Sequence, residues 1–156
     1  MTSAELKTIR ESLGLTAQWL ADRVNVSLRT IRYWESGKSD IPLDVISQIE
    51  HLQKNFLKSV NTHVKEIKII LEKTKPEFVV LLRYRTDEDL WSYQTQFHPM
   101  PTTFHAQISM RVKSEFSDKN VRIVYFDPEN YETWLSGKED NSAKRAEWAS
   151  VNFTDA

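Results

Sequence analysis

Apolar residues over the first 75 positions recur three and four apart, and glycine, asparagine or a hydroxyl residue punctuates them at short intervals. Leu6, Ile9, Arg10 and Leu13 mark one face of a first helix, with Ser3 as its predicted cap and Gly14 as its stop. Thr16 caps a second segment, Ala17 to Arg23, with Leu20, Ala21 and Val24 inward, and Asn25 follows as a residue able to take a left-handed turn. Ser27 caps a third, Leu28 to about Ser36. In it Ile31 and Trp34 point inward, Leu28, Arg29, Arg32 and Tyr33 point outward, and Gly37 closes the segment.

Pro42 opens a stretch to about Thr74 that contains neither Gly nor Pro, with Ile46, Ile49, Leu52, Phe56, Val60, Val64, Ile67 and Leu71 at helical spacing. At 1.5 Å per residue such a helix reaches roughly 48 Å, more than a bundle of some 40 residues can cover, so its far end must pack elsewhere. Lys75 and Pro76 break the pattern, and Phe78 to Tyr84 is a short apolar run suited to a buried strand. The pattern from Asp87 to Phe97 selects no element, and Pro99 and Pro101 mark a loop. Thr102 is the predicted cap of a helix reaching about Phe116, with Phe104, Ile108, Val112 and Phe116 at steps of four. Val121 to Phe126 is a second strand, Asp127 and Pro128 open a short helix through Leu135, and a last helical stretch runs near Ala143 to Ala149.

The predicted fold is mainly α with a small α+β part. It has a helical bundle core at 1–42, a long connecting helix at 43–75 and a β-α-β-α module at 76–156, its two strands joined through a helix and pairing in parallel.

Composition narrows the function. The 156 residues contain no cysteine, which removes disulfides, thiolate zinc sites, cysteine nucleophiles and thiol switches. Neither a signal peptide nor a run of 18 apolar residues is present, so a cytoplasmic protein without membrane association is expected. The net charge of -1 hides an asymmetry: residues 1–75 carry 12 Lys+Arg against 9 Asp+Glu, and residues 76–156 carry 9 against 13. The basic bias lies where the short helices are.

Those helices carry the informative motif. Leu15 to Pro42 contains Leu20-Ala21, a three-residue spacing to the turn at Asn25, then Val26-Ser27, then Thr30-Ile31 and Trp34-Glu35 with Gly37-Lys38 behind them. Ala21 lets two helices cross closely, Asn25 turns, Ser27 caps the next helix, and Ile31 and Trp34 anchor it, leaving its outer face free. This segment resembles the helix-turn-helix of phage repressor and Cro-type regulators of the XRE class, with a lambda repressor-like bundle as the implied fold.

The resemblance implies roles residue by residue. Positions matching Ser27, Leu28, Arg29, Arg32 and Tyr33 lie in or beside the DNA major groove, and those matching Arg10 and Glu35 form a structural ion pair. Arg29 is the first choice for a base contact and Arg32 the second, since a guanidinium can bond guanine O6 and N7 together. Leu28 suits a thymine methyl, and Ser27 completes the base-contact set. Thr16, Gln18, Thr30, Tyr33 and Lys38 are the phosphate candidates, the helix starts at Thr16 and Ser27 adding backbone amides. The family often has glutamine directly after the second helix's cap, where this chain has Ala17 and places Gln18 one step later, and Asn25 replaces its usual turn glycine.

The opening Ala4 to Arg10, the Tyr33 to Lys38 segment with Ile41-Pro42 behind it, and the long helix leading into a β-α-β-α tail resemble the YdiL-like regulators, which include anti-CRISPR-associated repressors. That implies a homodimer joined through the C-terminal module, reading an inverted repeat on double-stranded DNA with half-sites about 34 Å apart. The alternative is an antitoxin or adaptor whose acidic C-terminal module holds a protein partner while the helix-turn-helix autoregulates the operon.

Catalysis has little support in the sequence. His98 and His105 lack further residues at metal-ligand spacing and are expected as surface or core histidines. Asp87, Glu88 and Asp89 suit a helix N-terminus better than an acid-base pair. Trp91, Tyr93 and Phe97 are placed in a loop and expected to be buried under the sheet. No enzyme activity, cofactor or metal is expected.

Overall fold

The computed structural model describes residues 1–117 and 120–152 of the chain, which divides into two units, Met1–Ser59 and the part from Val60 onward. In the first unit, α1 spans Ser3–Ser12, α2 Ala17–Val24 and α3 Leu28–Glu35, followed by the first half of α4, Leu43–Lys73. Thr2, not Ser3, caps α1. Its hydroxyl accepts from the Glu5 amide at 3.1 Å while its own amide donates to the Glu5 carboxylate at 2.6 Å. This reciprocal box requires a Glu or Gln three residues after the cap, which Thr2 has in Glu5 and Ser3 lacks. The amide bond also holds the Glu5 carboxyl below its ordinary pKa.

All three short helices end in the same way. Gly14, Asn25 and Gly37 sit at φ 70, 56 and 74°, in the left-handed region. After each, the next amide returns to a carbonyl five residues back: Leu15 to Arg10 at 3.1 Å, Val26 to Ala21 at 3.0 Å and Lys38 to Tyr33 at 2.9 Å. The inner bonds, Gly14 to Glu11, Asn25 to Asp22 and Gly37 to Trp34, complete a Schellman pair at each end. Leu6, Leu13, Leu15, Leu20, Ala21, Ile31 and Trp34 are buried together with Val45, Ile49, Leu52 and Phe56 of α4. Val45 lies deeper than its neighbour Ile46, which is half-buried.

The second unit takes the rest of α4, then β1 (Val79–Arg83), α5 (Asp87–Tyr93), a 3-10 turn (Thr95–Phe97), α6 (Thr102–Lys113), β2 (Val121–Tyr125), α7 (Pro128–Leu135) and α8 (Ser142–Asn152). The strands pair in parallel, Val79 opposite Val121 through Arg83 opposite Tyr125, as the crossover through α6 predicts. Both strands stop one residue before the ends of their apolar runs, where Tyr84 and Phe126 are buried in an aromatic cluster with Tyr93, Tyr131 and Trp148, the Phe126 amide still donating to the Arg83 carbonyl at 2.9 Å.

Asp87, Glu88 and Asp89 stand in the first turn of a helix, as expected of them; that helix, Asp87–Tyr93, where the pattern selected no element, is begun by the Thr86 hydroxyl accepting from the Asp89 amide at 3.1 Å. Other expectations need correction. Trp91 and Tyr93 therefore lie on α5 and Phe97 on the 3-10 turn, not in a loop. Thr102 is the first residue of α6 and not its cap. Its amide instead donates to the Asp87 carboxylate at 2.7 Å, a contact with a residue 15 positions upstream. The same helix stops at Lys113, with Phe116 beyond it, and α8 is longer at both ends than the apolar spacing indicates. Among the described residues no helix is long and apolar enough to cross a membrane.

Candidate nucleic-acid interface

Helix α3 is fixed from behind by one buried charge. Arg10 of α1 is 7% exposed, and its Nε donates to Glu35 Oε1 at 2.5 Å, its NH2 to Glu35 Oε2 at 3.2 Å and its NH1 to the Leu15 carbonyl at 2.7 Å. One guanidinium thus ties α1, the α1–α2 turn and the end of α3 in a bidentate fork. This is the pair that the resemblance implied. Ile31 and Trp34 complete the attachment from the same side of α3.

At 100° per residue, Leu28, Arg32, Arg29 and Tyr33 fan over an outward arc of roughly 140° on the opposite side. Arg29 and Arg32 are exposed, Leu28 and Tyr33 half-buried. Ser27, exposed, caps the helix, its hydroxyl 3.1 Å from the Thr30 amide and 2.9 Å from the Thr30 hydroxyl. That bond turns Thr30 back toward the cap. Arg29 Nε donates to the Tyr33 hydroxyl at 2.6 Å and its guanidinium lies 5.1 Å from the ring centre. Lys38 Nζ lies 5.4 Å from the same ring, carried there by the Schellman turn at Gly37. Arg29, Tyr33 and Lys38 therefore form one cationic cluster, and on the same exposed arc no side-chain hydrogen bond or ion pair is seen for Arg32 among the described residues. On α2, Thr16 is exposed and caps through the Trp19 amide at 3.0 Å, while Gln18 is exposed and donates to Asp22 at 2.8 Å.

A family model described as Helix-turn-helix matches residues 6–52, from α1 to the first third of α4. Residues 6–52 form a helix-turn-helix domain. The match agrees with the Cro and phage-repressor resemblance of the same segment. No curated protein matches the chain.

Outside the helix-turn-helix, His98 is exposed against Trp91, with rings 4.7 Å apart, whereas His105 is buried between Tyr84 and Phe97. Among the described residues no three His, Asp or Glu side chains converge as metal ligands. The partnership of Arg29 with Tyr33 and that of Gln18 with Asp22 were not anticipated, although both are four apart on a helix and so lie on one face.

Proposed function

We propose that this protein is a sequence-specific transcriptional regulator that binds double-stranded DNA, works in the cytoplasm and acts as a homodimeric repressor on an inverted repeat. The observation that carries the proposal is the outward arc of α3, where two exposed arginines project from a helix locked at its back by Arg10 and Glu35. A helix held in this way enters the major groove without reorganisation. Ser27, Leu28, Arg29 and Arg32 face base edges, and Thr16, Gln18, Thr30, Tyr33 and Lys38 take phosphates. The Tyr33 hydroxyl braces Arg29 before DNA arrives, reducing the side-chain freedom lost on binding. The described residues supply binding groups, and the role is recognition, not catalysis.

Exposed Ile69 and Ile70 on α4 and Met110 on α6 give the C-terminal unit apolar surface for the contact between copies. This agrees with the dimeric organisation implied by the YdiL-like resemblance. The test is binding of the full chain to duplex DNA from upstream of its own gene and to a scrambled duplex, over a salt series, with the solution mass measured alongside. A dimer that prefers its own duplex and weakens steeply with salt is the expected result. Failure to bind either duplex at low salt refutes the proposal. A heteromeric mass in material purified from the native cell favours the adaptor reading, in which the acidic C-terminal unit holds a second protein.

A further inference from the structure

A cavity of about 210 Å³ opens within the C-terminal unit, lined from the second half of α4, from β1, α6 and α8. Its apolar wall is aliphatic, with Val80, Leu82, Ile108 and Val112, and two buried polar side chains, His105 and Arg145, interrupt it. For scale, an apolar cavity of about 150 Å³ accepts benzene.

His105 is 7% exposed and its tautomer is set by its neighbours. Gln94 Oε1 accepts from Gln96 at 3.2 Å, so the Gln94 amide group points the other way, toward the Tyr84 hydroxyl at 3.1 Å and His105 Nε2 at 3.4 Å. With Nε2 accepting, the proton of the neutral ring sits on Nδ1. Among the described residues, His105 Nδ1 is the buried side-chain nitrogen or oxygen left without a hydrogen-bond partner. Burial keeps the ring uncharged, its pKa pushed down to about 4.

Arg145, 9% exposed, is anchored through NH1 to Asp140, whose other oxygen receives the Tyr131 hydroxyl at 2.6 Å. One nitrogen of the guanidinium is thereby committed. The cavity lining carries one charge of each sign: Arg145, paired with Asp140, and the exposed Glu66 carboxylate on α4, while Arg83 acts on His105 from β1 without lining the space. His63, half-buried on α4, also lines the space. With one charge of each sign in the lining, neither an anion nor a cation is favoured overall, whereas a carbonyl oxygen can take the unspent N–H of His105.

We propose that this cavity binds a small uncharged molecule with a branched aliphatic body and a carbonyl oxygen, the oxygen accepting from His105 Nδ1 beside the Arg145 guanidinium. The test is a titration of the full chain followed by amide NMR with three probes of one shape: isobutyramide, isobutyrate and isobutylammonium. Isobutyramide is expected to give saturable shifts at millimolar concentration, confined to the second half of α4, β1, α6 and α8, and to bind at least tenfold tighter than either ion. His105→Phe, which keeps the ring and removes Nδ1, is expected to weaken it at least tenfold. Ala146→Leu fills the cavity from an exposed rim position that tolerates a larger side chain, and is expected to abolish binding. Absence of saturable shifts in the folded wild type overturns the proposal, as does equal binding by Ala146→Leu. Tighter binding of either ion overturns the charge argument and with it the ligand class.

Discussion

Replacing Glu35 by alanine removes the counter-charge of a guanidinium that stays where it was. Arg10 is 7% exposed and loses two of its three hydrogen bonds, keeping the Leu15 carbonyl at 2.7 Å and, 3.5 Å away, the exposed carboxylate of Glu11. Breaking a buried pair from one side costs about 3–5 kcal/mol, and the nearby Glu11 places this case at the lower end, about 3 kcal/mol. For a unit of 59 residues, each kcal/mol lowers the midpoint by about 4–8 °C, so Glu35→Ala should melt the N-terminal unit roughly 12 °C or more below wild type. Thermal unfolding, followed by amide NMR with probes assigned to each unit, measures this while the second unit serves as its own reference. The companion variant Arg10→Met with Glu35→Leu replaces the pair by apolar groups of similar reach and should recover to within about 1 kcal/mol of wild type, because no charge is left buried. A loss under about 4 °C for Glu35→Ala, or a double variant no more stable than the single, would refute the assignment of this pair to the stability of α3.

Three further outcomes are expected. Arg29→Ala should relax preference at one base pair by about 1–3 kcal/mol, while Lys38→Ala should weaken all duplexes alike and lower the salt slope by about 1, both read from binding isotherms over a salt series. Asn25, at φ 56°, should tolerate glycine with little change in denaturant midpoint but lose about 1–2 kcal/mol as valine, since a branched side chain is disfavoured in the left-handed region. His105 has a folded-state pKa lowered to about 4 by burial, so below its ordinary value of 6.5 the unfolded chain binds the proton more tightly. Stability of the C-terminal unit should therefore be level above pH 6.5 and fall by on the order of 3 kcal/mol toward pH 4, with His105→Phe removing that part of the slope in denaturant melts.

The parts of this molecule legible in its sequence are those set within a few residues. Gly14, Asn25 and Gly37 each stop a helix because only the backbone a few positions away has to be satisfied, and the three Schellman turns follow from that local requirement. The outward arc of α3 is equally local, since Leu28, Arg29, Arg32 and Tyr33 are separated by one, three and four positions, whatever surrounds them. Even the missed cap at Thr2 was a local matter: Thr2 and Ser3 are both good caps, and counting back from Glu5 decides between them. What sequence could not provide is set across distance. The Asp87 carboxylate starts α6 at Thr102, 15 residues on, and no spacing rule connects them. The cavity draws on residues from His63 to Ala146, and the same histidine that reads as an unremarkable core residue at position 105 becomes an unpaired donor only when Gln94 turns its amide toward it. The base-contact residues proposed for DNA lie on one face of one helix and were visible for that reason. Recognition of a small molecule rests on four elements meeting, and requires the fold before any of its residues acquires a role.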